Sequence, residues 1–242
     1  MASGHRLQRI ATQAWETFRL SRNSSQFTKN LAVLTENLSK LSASDLNIDP
    51  QNLPRYSAWA TESGYMEMGE NKVLSMGVFT LRKAGVTIPL HDHPGMYGVL
   101  KVVYGQVRIT SYSRVQLSDQ GIVPKFAEQG SRQPPPDRLA ACRLASDALL
   151  DSKSDAVVLS PDEGNIHSIE AIDGPAAFVD ILSPPYDPPE RDCHYYDELE
   201  AADARSDSEK VDFKWLLRVS HPTNGFQCET EHYPGPSVHI GT

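Results

Sequence analysis

A chain of 242 residues, 39% hydrophobic and 22% charged, can bury one sizeable core without structural disulfides or zinc and still carry polar appendages. A formal net charge of -8 with no concentrated basic stripe excludes nucleic acid and anionic membrane surfaces as principal partners. No run approaches the roughly 18 uncharged apolar residues of a membrane span, residues 1–6 lack the apolar core of a secretory signal, and Cys142, Cys193 and Cys228 are odd in number and scattered. A cytoplasmic protein with reduced thiols is expected.

Leu7, Ile10, Ala11, Ala14, Trp15 and Phe18 fall at three-and-four spacing and predict a helix over 7–22. The polar stretch 23–26 offers N-cap candidates, after which Phe27, Leu31, Leu34, Leu38 and Leu41 predict a second helix. Both stripes read as core packing. Two prolines within 48–54 mark a connector, so residues 1–50 are expected to pack as a helical segment on a main domain over 51–242. Between 65 and 113 the period changes. The runs 73–82, 86–93, 97–104 and 106–112 are short and β-rich, split by Lys83-Ala84-Gly85, Pro94-Gly95 and Gly105, which predicts an all-β sandwich or barrel. Residues 117–154 lose this periodicity around Gln133-Pro134-Pro135-Pro136 and read as a flexible surface insertion with a short helix over 139–150. Strands resume at 156–160, 165–169 and 176–182, followed by a stiff proline loop at 184–189 and a further strand over 213–219.

The chemistry concentrates in Ile88-Pro89-Leu90-His91-Asp92-His93-Pro94-Gly95-Met96. On an extended backbone, His91 and His93 leave on one face and Asp92 on the other, and Pro94-Gly95 then bends the chain. Two imidazoles aimed at one place suit a metal, although the spacing fits two half-buried, hydrogen-bonded histidines equally well. His167 lies on a late strand after a glycine-containing turn, where the second half of a double-sheet barrel can bring one more ligand to the same point.

The run Pro89-Leu90-His91-Asp92-His93-Pro94-Gly95-Met96, together with Asn165-Ile166-His167, Phe178-Val179-Asp180-Ile181-Leu182, Pro184-Pro185-Tyr186-Asp187-Pro188 and Asp192-Cys193-His194-Tyr195-Tyr196, resembles the family of animal cysteamine (2-aminoethanethiol) dioxygenases and plant cysteine oxidases. The likeness runs from about Leu31 to the end and is weakest over 117–154. It implies a mainly β, cupin-type double-stranded β-helix (jelly-roll) barrel preceded by α-helices. It also implies a monomer holding one non-haem Fe(II) on His91, His93 and His167. The reaction so implied adds both atoms of O2 to a thiol sulfur. The implied substrates are cysteamine, which gives hypotaurine, and proteins with an N-terminal cysteine, whose oxidation feeds an oxygen-dependent degradation signal. Asp180 and Tyr186 match positions facing the iron, and Cys193 and Tyr195 match a pair that can form a thioether.

The residue types suit that chemistry. Three neutral imidazoles with no carboxylate leave a bound dication its full charge, which favours a thiolate. Asp180 can accept a substrate amine or orient a ligand imidazole, or merely bond backbone amides. Two other readings of a three-histidine site are a zinc hydrolase or lyase and a metal-free binding module.

Overall fold

The computed structural model describes residues 2–49, 61–116, 134–199 and 213–241, with side chains from Gly4 onward. Two helices come first, α1 (Ala2–Phe18) and α2 (Ser25–Ser39). Ser24 caps α2, its side chain accepting from the Phe27 N–H at 3.1 Å and satisfying an amide that the helix leaves unpaired. Leu7, Ile10, Ala11 and Ala14 of α1 and Leu34 and Leu38 of α2 are buried in one cluster with Met66, Met76, Val78, Val179 and Ile181. The predicted stripes are therefore the faces that cover a sheet, each fully buried Leu or Ile contributing about 1.5–3 kcal/mol.

The strands, in chain order, are β1 (Ser63–Glu70), β2 (Ser75–Leu81), β3 (Thr87–His91), β4 (Tyr97–Tyr104), β5 (Gln106–Arg114), β6 (Leu139–Asp151), β7 (Val157–Leu159), β8 (Ile166–Ala171), β9 (Ala176–Ser183), β10 (Tyr195–Leu199), β11 (Lys214–Val219) and β12 (Cys228–Glu231). Six form an open sheet in the order β12-β1-β2-β9-β4-β7, and the other six close on themselves in the order β10-β11-β6-β5-β8-β3. In β9 the period of two sorts the side chains: Ala177, Val179 and Ile181 face the helices, while Ala176 and Phe178 join Leu100, Val102, Val107, Ile109 and Ile169 in the core between the sheets. This two-sheet, mainly β architecture with N-terminal helices is the cupin-type jelly-roll barrel expected from the sequence.

Three readings need correction. Residues 139–151 form β6, paired along β5 and, at its first residues, with β11, where the sequence suggested a short helix in an insertion. Leu139, Ala140, Ala141, Leu144, Ala148 and Leu149 are good helix formers at helical spacing, but pairing on both sides of the barrel overrides that preference. The second correction is local: β3 ends at His91, so Asp92 and His93 lie beyond the strand. Finally, β1, β10 and β12 were not marked as strands by their sequences. The connector residues 50–60 and insertion residues 117–133 lie outside the described residues.

Candidate metal centre

The three histidines converge. His91 closes β3, directly opposite His167 of β8 on one side and Tyr195 of β10 on the other. Their ring centroids form a near-equilateral triangle, with His91–His93 4.8 Å, His91–His167 4.7 Å and His93–His167 4.9 Å. One ligand atom from each lies within 4.8 Å of the others, and the Nε2 atoms of His93 and His167 are 3.3 Å apart. Two nitrogens bound at ~2.1 Å to one ion sit about 3.0–3.4 Å apart, so this pair fits a shared metal. Three histidines and no carboxylate make up this group among the described residues.

The outward nitrogens are tied down. His91 Nδ1 donates to the Pro89 carbonyl at 2.9 Å, which leaves its Nε2 lone pair free. Tyr186 gives its one hydroxyl proton to the Asp92 carbonyl at 2.8 Å, so its oxygen accepts from His93 Nδ1, also at 2.8 Å. That fixes the His93 tautomer with Nε2 as the free donor atom. Burial lowers the pKa of His91 against an opposing hydrogen bond to Pro89, and takes His93 and His167 well below the ordinary value, with repulsion from neighbouring imidazoles second for those two. All three are neutral near pH 7, the form that offers lone pairs to a metal.

His93 is not placed by strand periodicity. Met96 N–H bonds its carbonyl at 3.0 Å to close a turn in which Gly95 adopts φ 65°, a left-handed conformation that glycine tolerates. Asn165, immediately before β8, then clamps the His93 backbone, accepting from its N–H at 3.0 Å and donating to its carbonyl at 2.9 Å. Asp92 does point away from the other two, as alternation suggested, and it has its own task. Its carboxylate accepts from His194 N–H at 2.9 Å, the Tyr196 hydroxyl at 2.7 Å and Arg114 at 3.4 Å. The segment holding Cys193 and Tyr195 is thereby pinned against the histidine turn.

Around the triad, Cys193 lies within reach of the Tyr186 and Tyr195 hydroxyls, and burial pushes its thiol up to about 11. Burial likewise takes Tyr195 to about 12. Cys193, His194 and Tyr195 line an opening of about 480 Å³ flanked by Arg138 and Arg218. A second recess of about 290 Å³, lined by Leu100, Ile109, Ala148 and Val157, reaches His167 from the other side. Asp180 follows Phe178 on the inner face of β9, and desolvation raises its carboxyl to about 7. Its charge also raises the Tyr186 hydroxyl.

Residues 37–238 match the family described as PCO_ADO. The chain belongs to that family. Among the relatives of this PCO_ADO member, 2-aminoethanethiol dioxygenase of Mus musculus is 42% identical over 96% of both chains, and the Homo sapiens protein of the same name is 40% identical over the same shares. Plant cysteine oxidase 1 of Arabidopsis thaliana is 32% identical over 72% of this chain and 58% of its own.

Tyr186 hydrogen-bonds His93, Tyr195 stands opposite His91, and Cys193 lies against both tyrosines, while Asp180 sits on the inner face of β9. Asn165 and Asp92 were missed as holders of the histidine turn. Asn165 had a signal, its place two residues before His167; the partners of Asp92 come from segments far away in sequence.

Proposed function

We propose that this chain is an Fe(II)-dependent thiol dioxygenase that adds both atoms of O2 to the sulfur of cysteamine, giving hypotaurine, and of N-terminal cysteines of proteins, giving cysteine sulfinic acid. The observation that carries this reading is the convergence of three neutral imidazoles without a carboxylate, in a chain whose relatives are named for oxidation of 2-aminoethanethiol and of cysteine. His91, His93 and His167 hold the metal and leave about three positions open. Bound there, ferrous iron supplies redox chemistry toward dioxygen and the charge that deprotonates a coordinating thiol.

The remaining roles belong to the protein. Tyr186 holds His93 in the tautomer that presents Nε2. Asp180 has no ion pair among the described residues, so its carboxylate is available to a substrate amine. Cysteamine and an N-terminal cysteine share an amine and a thiol on neighbouring carbons, which explains one site serving both. Cys193 and Tyr195 lose two hydrogens on forming a ring-carbon-to-sulfur thioether, with dioxygen taking the two electrons. The protein acts in the cytoplasm as a monomer, and its dependence on dioxygen makes the modification of N-terminal cysteines a report on oxygen.

The deciding experiment compares aerobic and anaerobic incubation of Fe(II)-loaded protein with cysteamine and a Cys-initiated peptide, read by mass. A gain of two oxygen atoms in air alone is expected. Turnover without oxygen, or with zinc as the sole metal, establishes a hydrolase or lyase instead. Metal-free protein on purification and a His91→Ala variant equal to the parent establish a binding module.

A further inference from the structure

Two polar groups on the inner face of the open sheet lack a protein partner. The Tyr65 hydroxyl makes no hydrogen bond to any described residue, yet it is not sealed away. The Asp180 carboxylate has no ion pair and no side-chain hydrogen-bond partner among the described residues. They come from different strands, β1 and β9, with β2 between them.

Gly77 of β2 brings them together. It pairs with Glu67 on one side and with Asp180 on the other. Tyr65 pairs with Phe79, its ring 4.8 Å from the Phe79 ring, and Phe79 in turn stacks on Phe178 at 5.3 Å. From that row the Tyr65 ring reaches back across Gly77. A Cβ at Gly77 would lie 2.2 Å from a ring carbon and 2.5 Å from the hydroxyl oxygen, closer than any real contact. Only the missing side chain at Gly77 lets the hydroxyl lie over the residue that faces Asp180. Burial raises the Tyr65 phenol and the Asp180 charge raises it further.

We propose that Tyr65 is a specificity-determining residue that completes, with Asp180, a subsite for the substrate amine, and that Gly77 is the space into which its ring fits. This rests on the function proposed above and adds the second half of its amine contact. An amine carries several N–H donors, so one can reach the Asp180 carboxylate while another reaches the Tyr65 oxygen. Without the amine, the Asp180 carboxylate and the Tyr65 oxygen forgo those hydrogen bonds, which discriminates against thiols that lack it.

Anaerobic calorimetry on Fe(II)-loaded protein tests it, with cysteamine and ethanethiol as probes and no turnover involved. Tyr65→Phe is expected to weaken cysteamine about tenfold, the loss of one hydrogen bond to a charged or polar donor, and to leave ethanethiol unchanged. Gly77→Ala, which displaces the ring, is expected to reproduce that selective loss. Equal changes for both thiols, or none for either, overturn the subsite; if Gly77→Ala does not fold, the Tyr65→Phe comparison decides alone. Aerobic turnover separates the two levels. A parent that adds no oxygen to any thiol overturns the function and the subsite with it, whereas an active parent with an unaltered Tyr65→Phe variant overturns only the subsite.

Discussion

Asn165 holds the backbone of His93 on both sides of its Cα, its Oδ1 3.0 Å from the amide nitrogen and its Nδ2 2.9 Å from the carbonyl oxygen. The same Nδ2 donates to Ser160 at 2.9 Å, so a single amide ties the histidine turn to the start of β8. Asn165→Ala leaves the buried His93 amide unpaired, a cost of about 1–3 kcal/mol. The geometry of the triad pays that cost, and metal affinity is expected to fall roughly 10–100-fold. Competition with a graded chelator measures this, and an unchanged midpoint means the turn keeps its shape unaided.

Tyr186→Phe removes the acceptor of His93 Nδ1–H and the donor to the Asp92 carbonyl while keeping the ring. Metal retention is expected to drop roughly 10–100-fold with the fold intact. Metal content after dialysis, set beside the circular dichroism spectrum, checks both halves of the expectation.

Asp92→Asn replaces a buried carboxylate surrounded by donors from His194, Tyr196 and Arg114. The amide turns one of its own donors toward that cluster, and a loss of about 2–4 kcal/mol in urea unfolding is expected. Arg114→Ala removes the most exposed member, its side chain 53% accessible, and is expected to cost under about 1 kcal/mol. Equal losses for the two variants would contradict the central place given to the carboxylate.

The Asp180 carboxyl titrates at about 7 in the folded protein because burial penalises its charge, against ~3.9 in an unfolded chain. The folded state therefore binds the additional proton, and this group's contribution to stability is fully present below ~pH 4 and lost as pH rises through about 7. Asp180→Asn is expected to become more stable than the parent as pH rises, by on the order of 2–4 kcal/mol at pH 8. Substrate binding runs the other way. The parent's KM for cysteamine is expected to rise below about pH 7, where the carboxylate is protonated, and the Asn variant loses that dependence. Urea titrations and KM profiles across this range test the pair of signs.

Much of the barrel could be read from local pattern. The helix stripes, the short runs that became β2, β4, β5, β8 and β9, and the serine cap of α2 all carry their signals within a few residues. β6 did not, because its alanines and leucines favour a helix until β5 and β11 pair with them. Period-two reasoning brought His91 and His93 together and turned Asp92 away, yet His93 owes its position to Asn165 and Tyr186. Tyr65 was invisible for a similar reason: its role depends on an absent side chain two strand positions away, and a glycine in a strand signals close approach without saying of what.

The pairing of Tyr195 with His91 is also what closes the six-stranded ring. Side chains alternate along β10, so a shift of one residue would bring Tyr196 to the triad and carry Tyr195 to Asp92. The loop between Ser183 and Tyr195 is consequently a ruler. Lengthening or shortening it by one residue exchanges two tyrosines with different partners. Insertions in this protein should therefore be tolerated according to which strand face they rotate, and proximity to the surface will be a poor guide.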